Sequence, residues 1–128
     1  MKKTTYLKNK IKEKKALVCP GVHDVISARL IEDAGFQAMQ ISGFGLSASY
    51  LGLPDMAFLS FTDMLNYSRN IIQAVNVPVI VDADTGFGNA VSAMRVTEQF
   101  ILAGAAGMNI ENQIFPKRCG HMEGKRII

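Results

Sequence analysis

The pattern Ala34-Gly35-x-x-Ala38-Met39-Gln40-Ile41 recurs as Ala103-Gly104-x-x-Gly107-Met108-Asn109-Ile110. Each copy reads as a helix end, a glycine that turns the chain, and a short apolar strand. This hand-over from helix to buried strand limits the fold more than any other feature of the chain. Strands that alternate with helices pair in parallel, because a parallel neighbour is reached only through a crossover. Read from the start, the order is strand, helix, strand, helix, strand, helix, strand. The expected strands are 16–19, 38–41, 79–83 and 108–110. A further amphipathic helix over 5–14 precedes them, with Tyr6, Leu7 and Ile11 on one side.

Helical spacing assigns the inner faces. Ile26, Leu30, Ile31 and Ala34 should face inward after the cap Asp24. Met64, Ser68, Ile71, Ile72 and Val75 should do so after the capping box Ser60-Phe61-Thr62-Asp63. Val91, Met94 and Ile101 are the expected inner face of helix 89–103. Cys19 reads as a small core residue on the first strand. The polar clusters 42–45, 82–88 and 111–121 all follow strand C-termini, which in a (βα)8 barrel form the active face. The fold class expected is therefore α/β, of the (βα)8 TIM-barrel type, with only the first four βα units present. Such a barrel typically takes about 250 residues; this chain has 128 and reads as one domain, 1–128, the N-terminal half.

Composition narrows the classes of function. The chain is 48% hydrophobic and 20% charged, as a globular domain is. No apolar run reaches the roughly 18 residues of a membrane span, so no membrane partner is expected. The excess positive charge sits mainly on Lys2, Lys3, Lys8, Lys10, Lys12, Lys14 and Lys15. These lysines lack interleaved aromatics and any nucleic-acid-binding module, so they read as a solvated face and no nucleic-acid partner is expected. No apolar segment of a secretory leader follows them. The two cysteines, Cys19 and Cys119, suggest no disulfide framework. A cytoplasmic protein is expected.

The chemistry centres on Val79-Ile80-Val81-Asp82-Ala83-Asp84-Thr85-Gly86-Phe87-Gly88-Asn89. Residues two apart on a strand share a face, so Asp82 and Asp84 should project together, with Ile80 below and Ala83 facing away. Paired carboxylates at the end of a buried strand need neutralising, and a divalent cation that prefers oxygen suits them. Ser42-Gly43-Phe44-Gly45-Leu46-Ser47-Ala48 has the form of a dinucleotide fingerprint. Gly52-Leu53-Pro54-Asp55 interrupts any long helix there. A loop of exposed N–H groups for carboxylate or enolate oxygens is the reading preferred. In Lys117-Arg118-Cys119-Gly120-His121, a thiol among cationic side chains should favour its thiolate. Gly120 would let the backbone pass close to a ligand.

Together these segments are specific. Ser42-Gly-Phe-Gly, Leu51-Gly-Leu-Pro-Asp55, Val81-Asp-Ala-Asp-Thr-Gly-Phe-Gly88, Ile110-Glu-Asn-Gln113 and Lys117-Arg-Cys-Gly-His121 resemble, in order, the isocitrate lyase and phosphoenolpyruvate mutase superfamily. The Lys-Arg-Cys-Gly-His segment is similar to its lyase branch, such as methylisocitrate lyase and dimethylmalate lyase. The resemblance implies Mg2+, with Mn2+ as a substitute, held by Asp82 and Asp84, with Glu111 helping through waters. It implies that Ser42, Gly43, Gly45 and Gly120 contact substrate and that Asp55 lies near the metal's water shell. It implies that Cys119 protonates the carbanion-like product, while His121 and Arg118 shape a closing loop.

The implied activity is carbon–carbon cleavage of a 2-hydroxy di- or tricarboxylic acid to an α-keto acid. The alternatives are a phosphonomutase or phosphonopyruvate hydrolase of the same superfamily, or a non-catalytic half-barrel that associates with a partner. A homo-oligomer (a tetramer in the full-length family) or a missing C-terminal half is expected as partner. Three departures stand out. Gln40 occupies a place where several family lyases carry an aromatic residue, Asn112 replaces an acid common after the glutamate, and the later-strand residues with which family lyases grip substrate carboxylates are absent.

Overall fold

A computed structural model describes residues 1–13 and 15–128. The core is built by strands whose alternate residues are buried. In β3 (Val79–Asp82), Val79 and Val81 are fully buried, and in β2 (Met39–Ile41), Met39 and Ile41 are. These side chains meet one face of the helices, while Gln40, Ile80 and Asp82 point to the other side of the sheet. β1 (Gly21–Val22) and β4 (Gly107–Asn109) complete a parallel sheet in the order β1-β2-β3-β4. The crossovers carry α2 (Val25–Asp33) after β1, α4 (Phe61–Ala74) after β2 and α5 (Ala90–Ala103) after β3. α1 (Lys3–Lys12) precedes the sheet. Its one buried side chain, Leu7, comes close to Gly107 and Ile80 on the side away from the main core.

Both copies of the internal repeat do what their sequence suggests. Gly35 (φ +86°) and Gly104 (φ +94°) take left-handed conformations directly after α2 and α5, where a side chain would be strained. A Cβ at Gly104 would also come within 3.2 Å of Ile72 Cγ2. Asp24, Ser60 and Asn89 cap their helices through side-chain oxygens.

Four expectations need correcting. The first strand is Gly21–Val22, and residues 16–19 form none. Pro20 does not stop it: on an edge strand a proline lacks only its N–H, and its carbonyl accepts from Gln40 N at 3.0 Å. Cys19 is consequently half-buried and lines a cavity instead of the core. In α1, Ile11 is exposed and Lys14 lies outside the described residues. In α2 the buried residue is Ala28, whereas Ile26 and Leu30 are 73% and 63% exposed and Ala34 is exposed too. In α5 Val96 and Phe100 are buried, whereas Val91, Met94 and Ile101 are 73%, 75% and 62% exposed. α4 lies between α2 and α5, and all five of its expected inner residues are buried. α2 and α5 are the outer helices, and among the described residues each has a flank with large exposed apolar side chains. Periodicity finds an apolar flank but does not say whether sheet or helix covers it.

Phe100 joins the layers: it is fully buried and meets Phe61 edge-on, with ring centroids 5.7 Å apart. Phe100→Ala should cost about 3–5 kcal/mol. A urea titration followed by far-UV circular dichroism should show the midpoint falling accordingly.

Candidate active site

The sheet's C-terminal edge is drawn together by loops that bond across it. Ala83 N donates to Asn109 O (2.9 Å) and Glu111 N donates to Asp84 O (2.7 Å), which ties the loop after β3 to the one after β4. Asp84 lies beyond the strand, in a left-handed turn (φ +45°), which aspartate tolerates. Strand alternation is therefore not what puts Asp82 and Asp84 on one side. The turn does: Asp84 N donates to Asp82 Oδ1 at 3.0 Å, and both carboxylates come near Gly43.

Residues 42–48 are not an open loop. Ser42 caps α3 (Gly43–Leu46), its Oγ accepting from Gly45 N at 3.0 Å. The helix runs on as a π-helical turn over Ser47–Leu51 and ends at Gly52. Gly43 N donates to Asp82 Oδ2 at 3.2 Å, so the N–H groups of Gly43 and Gly45 are engaged within the protein. A Cβ at Gly43 would fall 2.7 Å from Asp82 Oδ2, so a larger residue here would displace the carboxylate that Gly43 N now holds. What this corner presents to the cavity is the half-buried Ser42 and the Asp82 carboxylate.

The neutraliser of the acids that the structure contains is Lys117. Its side chain is almost wholly buried, with Nζ 2.8 Å from Asp55 Oδ2, 2.8 Å from Asp84 Oδ1 and 3.9 Å from Glu111 Oε1. Burial alone would push this lysine's pKa down. The bonds to Asp55 and Asp84 outweigh that and raise it. Burial likewise raises Asp84, opposed by Lys117, and it settles at about 6. Asp55 is presented by a segment that Ser47 Oγ holds through the Leu53 and Pro54 carbonyls, and its own carbonyl accepts from Cys119 N at 3.0 Å.

Gln113 seats the Lys117 loop from the other side. Its amide donates to the Glu111 carboxylate and to Arg118 O, and its Oε1 accepts from Arg118 N. Ile114 N donates to Arg126 O, which closes the loop on itself. Sequence reasoning treated Lys117 only as charge beside a thiol and gave Gln113 no role. A buried lysine facing three acids has no local signature, because its partners are distant in sequence.

The result is a cavity of about 620 Å3 whose wall includes Ser42, Asp55, Asp82, Glu111, Cys119, Gly120 and His121. Of the expected site residues, these seven come together. Asp84, Gly43 and Gly45 stand behind the wall. Arg118 does not join it: its guanidinium turns to Glu123 O at 3.1 Å. Cys119 Sγ lies 3.8 Å from His121 Nδ1, and that imidazole is its neighbour in place of the Lys117 and Arg118 charges. Among the described residues, no three His, Cys, Asp or Glu side chains are drawn together as a direct chelate. The donor set nevertheless fits a hard cation. Three carboxylates (Asp55, Asp84, Glu111) share one ammonium and a fourth, Asp82, borders the same cavity without one, and Mg2+ characteristically takes one or two carboxylates and keeps waters.

Residues 7–126 match the family model described as phosphoenolpyruvate phosphomutase. The chain belongs to that family. It is 48% identical over 115 residues to the 2,3-dimethylmalate lyase of Eubacterium barkeri, covering 90% of this chain and 40% of that protein. An oxaloacetate acetylhydrolase solved with 3,3-difluorooxalacetate superposes with a TM-score of 0.93 at 36% identity, over 98% of this chain and 43% of that one. A phosphonopyruvate hydrolase solved with oxalate and Mg2+ does so at 0.87 and 37%, over 97% and 44%. The chain thus spans about two-fifths of the length of the relatives it matches. Its four parallel strands are those of the TIM-barrel-like fold of the phosphoenolpyruvate mutase/isocitrate lyase superfamily, in its N-terminal part.

Because Asp55 and Glu111 border the open cavity, losing Lys117 should release the loop and rehydrate the acids before it unfolds the sheet. Lys117→Met should make cleavage by trypsin after Arg118 at least about tenfold faster, with far-UV circular dichroism unchanged; a buried pair broken on one side typically costs about 3–5 kcal/mol, which the released loop regains in part as hydration.

Proposed function

We propose that this chain supplies the metal-binding and proton-donating part of a Mg2+-dependent carbon–carbon lyase acting on a 2-hydroxy di- or tricarboxylic acid, of the dimethylmalate or methylisocitrate type. The observation that carries this is that Cys119 and His121 line the same cavity as Asp82 and Glu111. Such a substrate loses its hydroxyl proton, its C2–C3 bond breaks, and C2 becomes the keto carbon of the α-keto acid. The electron pair stays on C3, and Cys119 gives C3 its thiol proton. The proton released by the hydroxyl balances the one that the thiol gives, so the products contain the atoms of the substrate.

Asp82, Asp84 and Glu111 would hold Mg2+ or Mn2+, which when bound supplies Lewis-acid stabilisation to oxygens that gain negative charge. Asp55 would lie near its water shell, and Lys117 would keep the Cys119 loop seated. His121 would hand a proton back to the Cys119 thiolate that this step leaves. Ser42 would offer its hydroxyl to the α-keto acid, with Gly120 as a close backbone contact. The arrangement agrees with the names of the relatives: a dimethylmalate lyase, and a hydrolase solved with oxalate and Mg2+. Oxalate has the planar, paired oxygens of an α-keto acid enolate.

A second reading, phosphonopyruvate chemistry, is favoured by the similarity to the phosphonopyruvate hydrolase; the thiol beside His121 argues for the lyase. A third feature concerns the chain by itself. β1 and β4 each leave one edge unpaired, and α2 and α5 expose Ile26, Leu30, Val91, Met94, Ile101 and Leu102. Open edges and apolar flanks template association. By itself the chain should sediment as an oligomer and release no keto acid.

Activity is best tested in a chimera whose remaining barrel comes from the Eubacterium barkeri enzyme. It should release pyruvate from 2,3-dimethylmalate with Mg2+, and Cys119→Ser should slow turnover by roughly 10²–10⁴. Phosphate release from phosphonopyruvate without keto acid from hydroxy acids would favour the second reading. Independently of turnover, Mn2+ titration followed by electron paramagnetic resonance should show Asp82→Asn lowering affinity by roughly tenfold or more.

A further inference from the structure

Most polar groups on the cavity wall already have partners. Ser42 accepts from Gly45, Asp82 accepts from Gly43 and Asp84, Asp55 holds Lys117, and Glu111 accepts from Gln113. Gln40 differs. It lies in the middle of β2, half-buried, on the sheet face that carries Asp82. Its backbone N donates to Pro20 O, but among the described residues its carboxamide bonds to nothing.

Access to that carboxamide is open. In register, Gln40 stands opposite Gly21 of β1 and Ile80 of β3. Gly21 has no side chain to cover it, and a Cβ there would meet only Ser42 Cβ, at 3.9 Å. Cys19 and Phe44 lie on the same wall and offer no strong donor. Ser42 follows two residues later on the same strand face, roughly 7 Å along. Besides Cys119, Gly120 and His121, the cavity wall therefore bears carboxylates that only accept, plus two neutral donors on one strand, the Gln40 amide and the Ser42 hydroxyl.

We infer that Gln40 is a substrate-binding and specificity-determining residue, donating Nε2–H to a carboxylate oxygen of the acid that enters this cavity. The inference rests on the lyase reading above and adds to it the group that selects for a carboxylate at this depth. A neutral amide suits that place. It donates without the full charge that would bind to Asp82 or Glu111, and without becoming one more acceptor on an acidic wall.

The test uses oxalate as probe. Calorimetry of oxalate binding to this chain in saturating Mn2+ would compare wild type, Gln40→Met and Gln40→Glu. Methionine keeps the length without a donor, and glutamate keeps the shape while replacing the donor by a charged acceptor. Gln40→Met should weaken oxalate roughly tenfold, and Gln40→Glu roughly 100-fold or more, as expected for a hydrogen bond to a charged group. Mn2+ affinity measured without oxalate should stay within a few-fold of wild type in Gln40→Met, which separates this role from a structural one. Equal oxalate affinity in wild type and Gln40→Met would overturn the Gln40 assignment and leave the lyase reading standing. Wild type that binds Mn2+ but no oxalate would overturn both.

Discussion

One buried ammonium organises this site. Lys117 Nζ reaches Asp55 on the segment after the π-helical turn, Asp84 after β3, and Glu111 after β4. Three strand-end loops and the segment that carries Cys119 thus meet at a single charge. Taking a lysine and its acids out of water is costly, and their attraction offsets that only where geometry is good and the other lone pairs are engaged. Gln113 bonds to Glu111, and Ser47 fixes the approach to Asp55. The contact does more for position than for stability. It decides where Cys119 stands relative to Asp82.

The same interaction shows why part of the site was legible and part was not. Asp82, Glu111, Cys119, Gly120 and His121 sit in short motifs whose residue types announce their chemistry, and the structure sets them round one cavity. Asp84 was also found, although by a wrong route. Its placement comes from a left-handed turn and a bond to Asp82, which a period of two cannot describe. Arg118 looked equivalent to Lys117 on paper. In space the two neighbours point to opposite sides of the loop, one into the acids and one to the Glu123 carbonyl. A sequence gives charge but not the direction of a side chain in an irregular segment.

The fold was readable where packing is symmetrical. Helix α4 has neighbours on both flanks, and its inner face follows the helical period residue by residue. Helices α2 and α5 are apolar on two faces, one against the sheet and one along a free flank. Ile26, Leu30, Met94 and Ile101 lie on the free flank, while Ala28, Val96 and Phe100 meet the core. Helical spacing alone therefore chose the wrong face. The first strand failed for a different reason. Pro20 reads as a stop, but an edge strand tolerates a missing donor, so β1 forms beyond it.

The cavity's charge also bears on what it can do. Among the described residues on its wall there is no lysine and no arginine: Lys117 is sunk among its acids, and Arg118 faces away. A di- or tricarboxylate approaching Asp55, Asp82 and Glu111 would be repelled unless other positive charge met it. On the lyase reading proposed above, the groups on this wall would suit one end of such a substrate, the end where negative charge develops on oxygen and a carbon needs a proton. Holding the distant carboxylates calls for cations that these strands do not bring to the wall. On that reading, the acids gathered by Lys117 would receive a cation first, and an anion only after it.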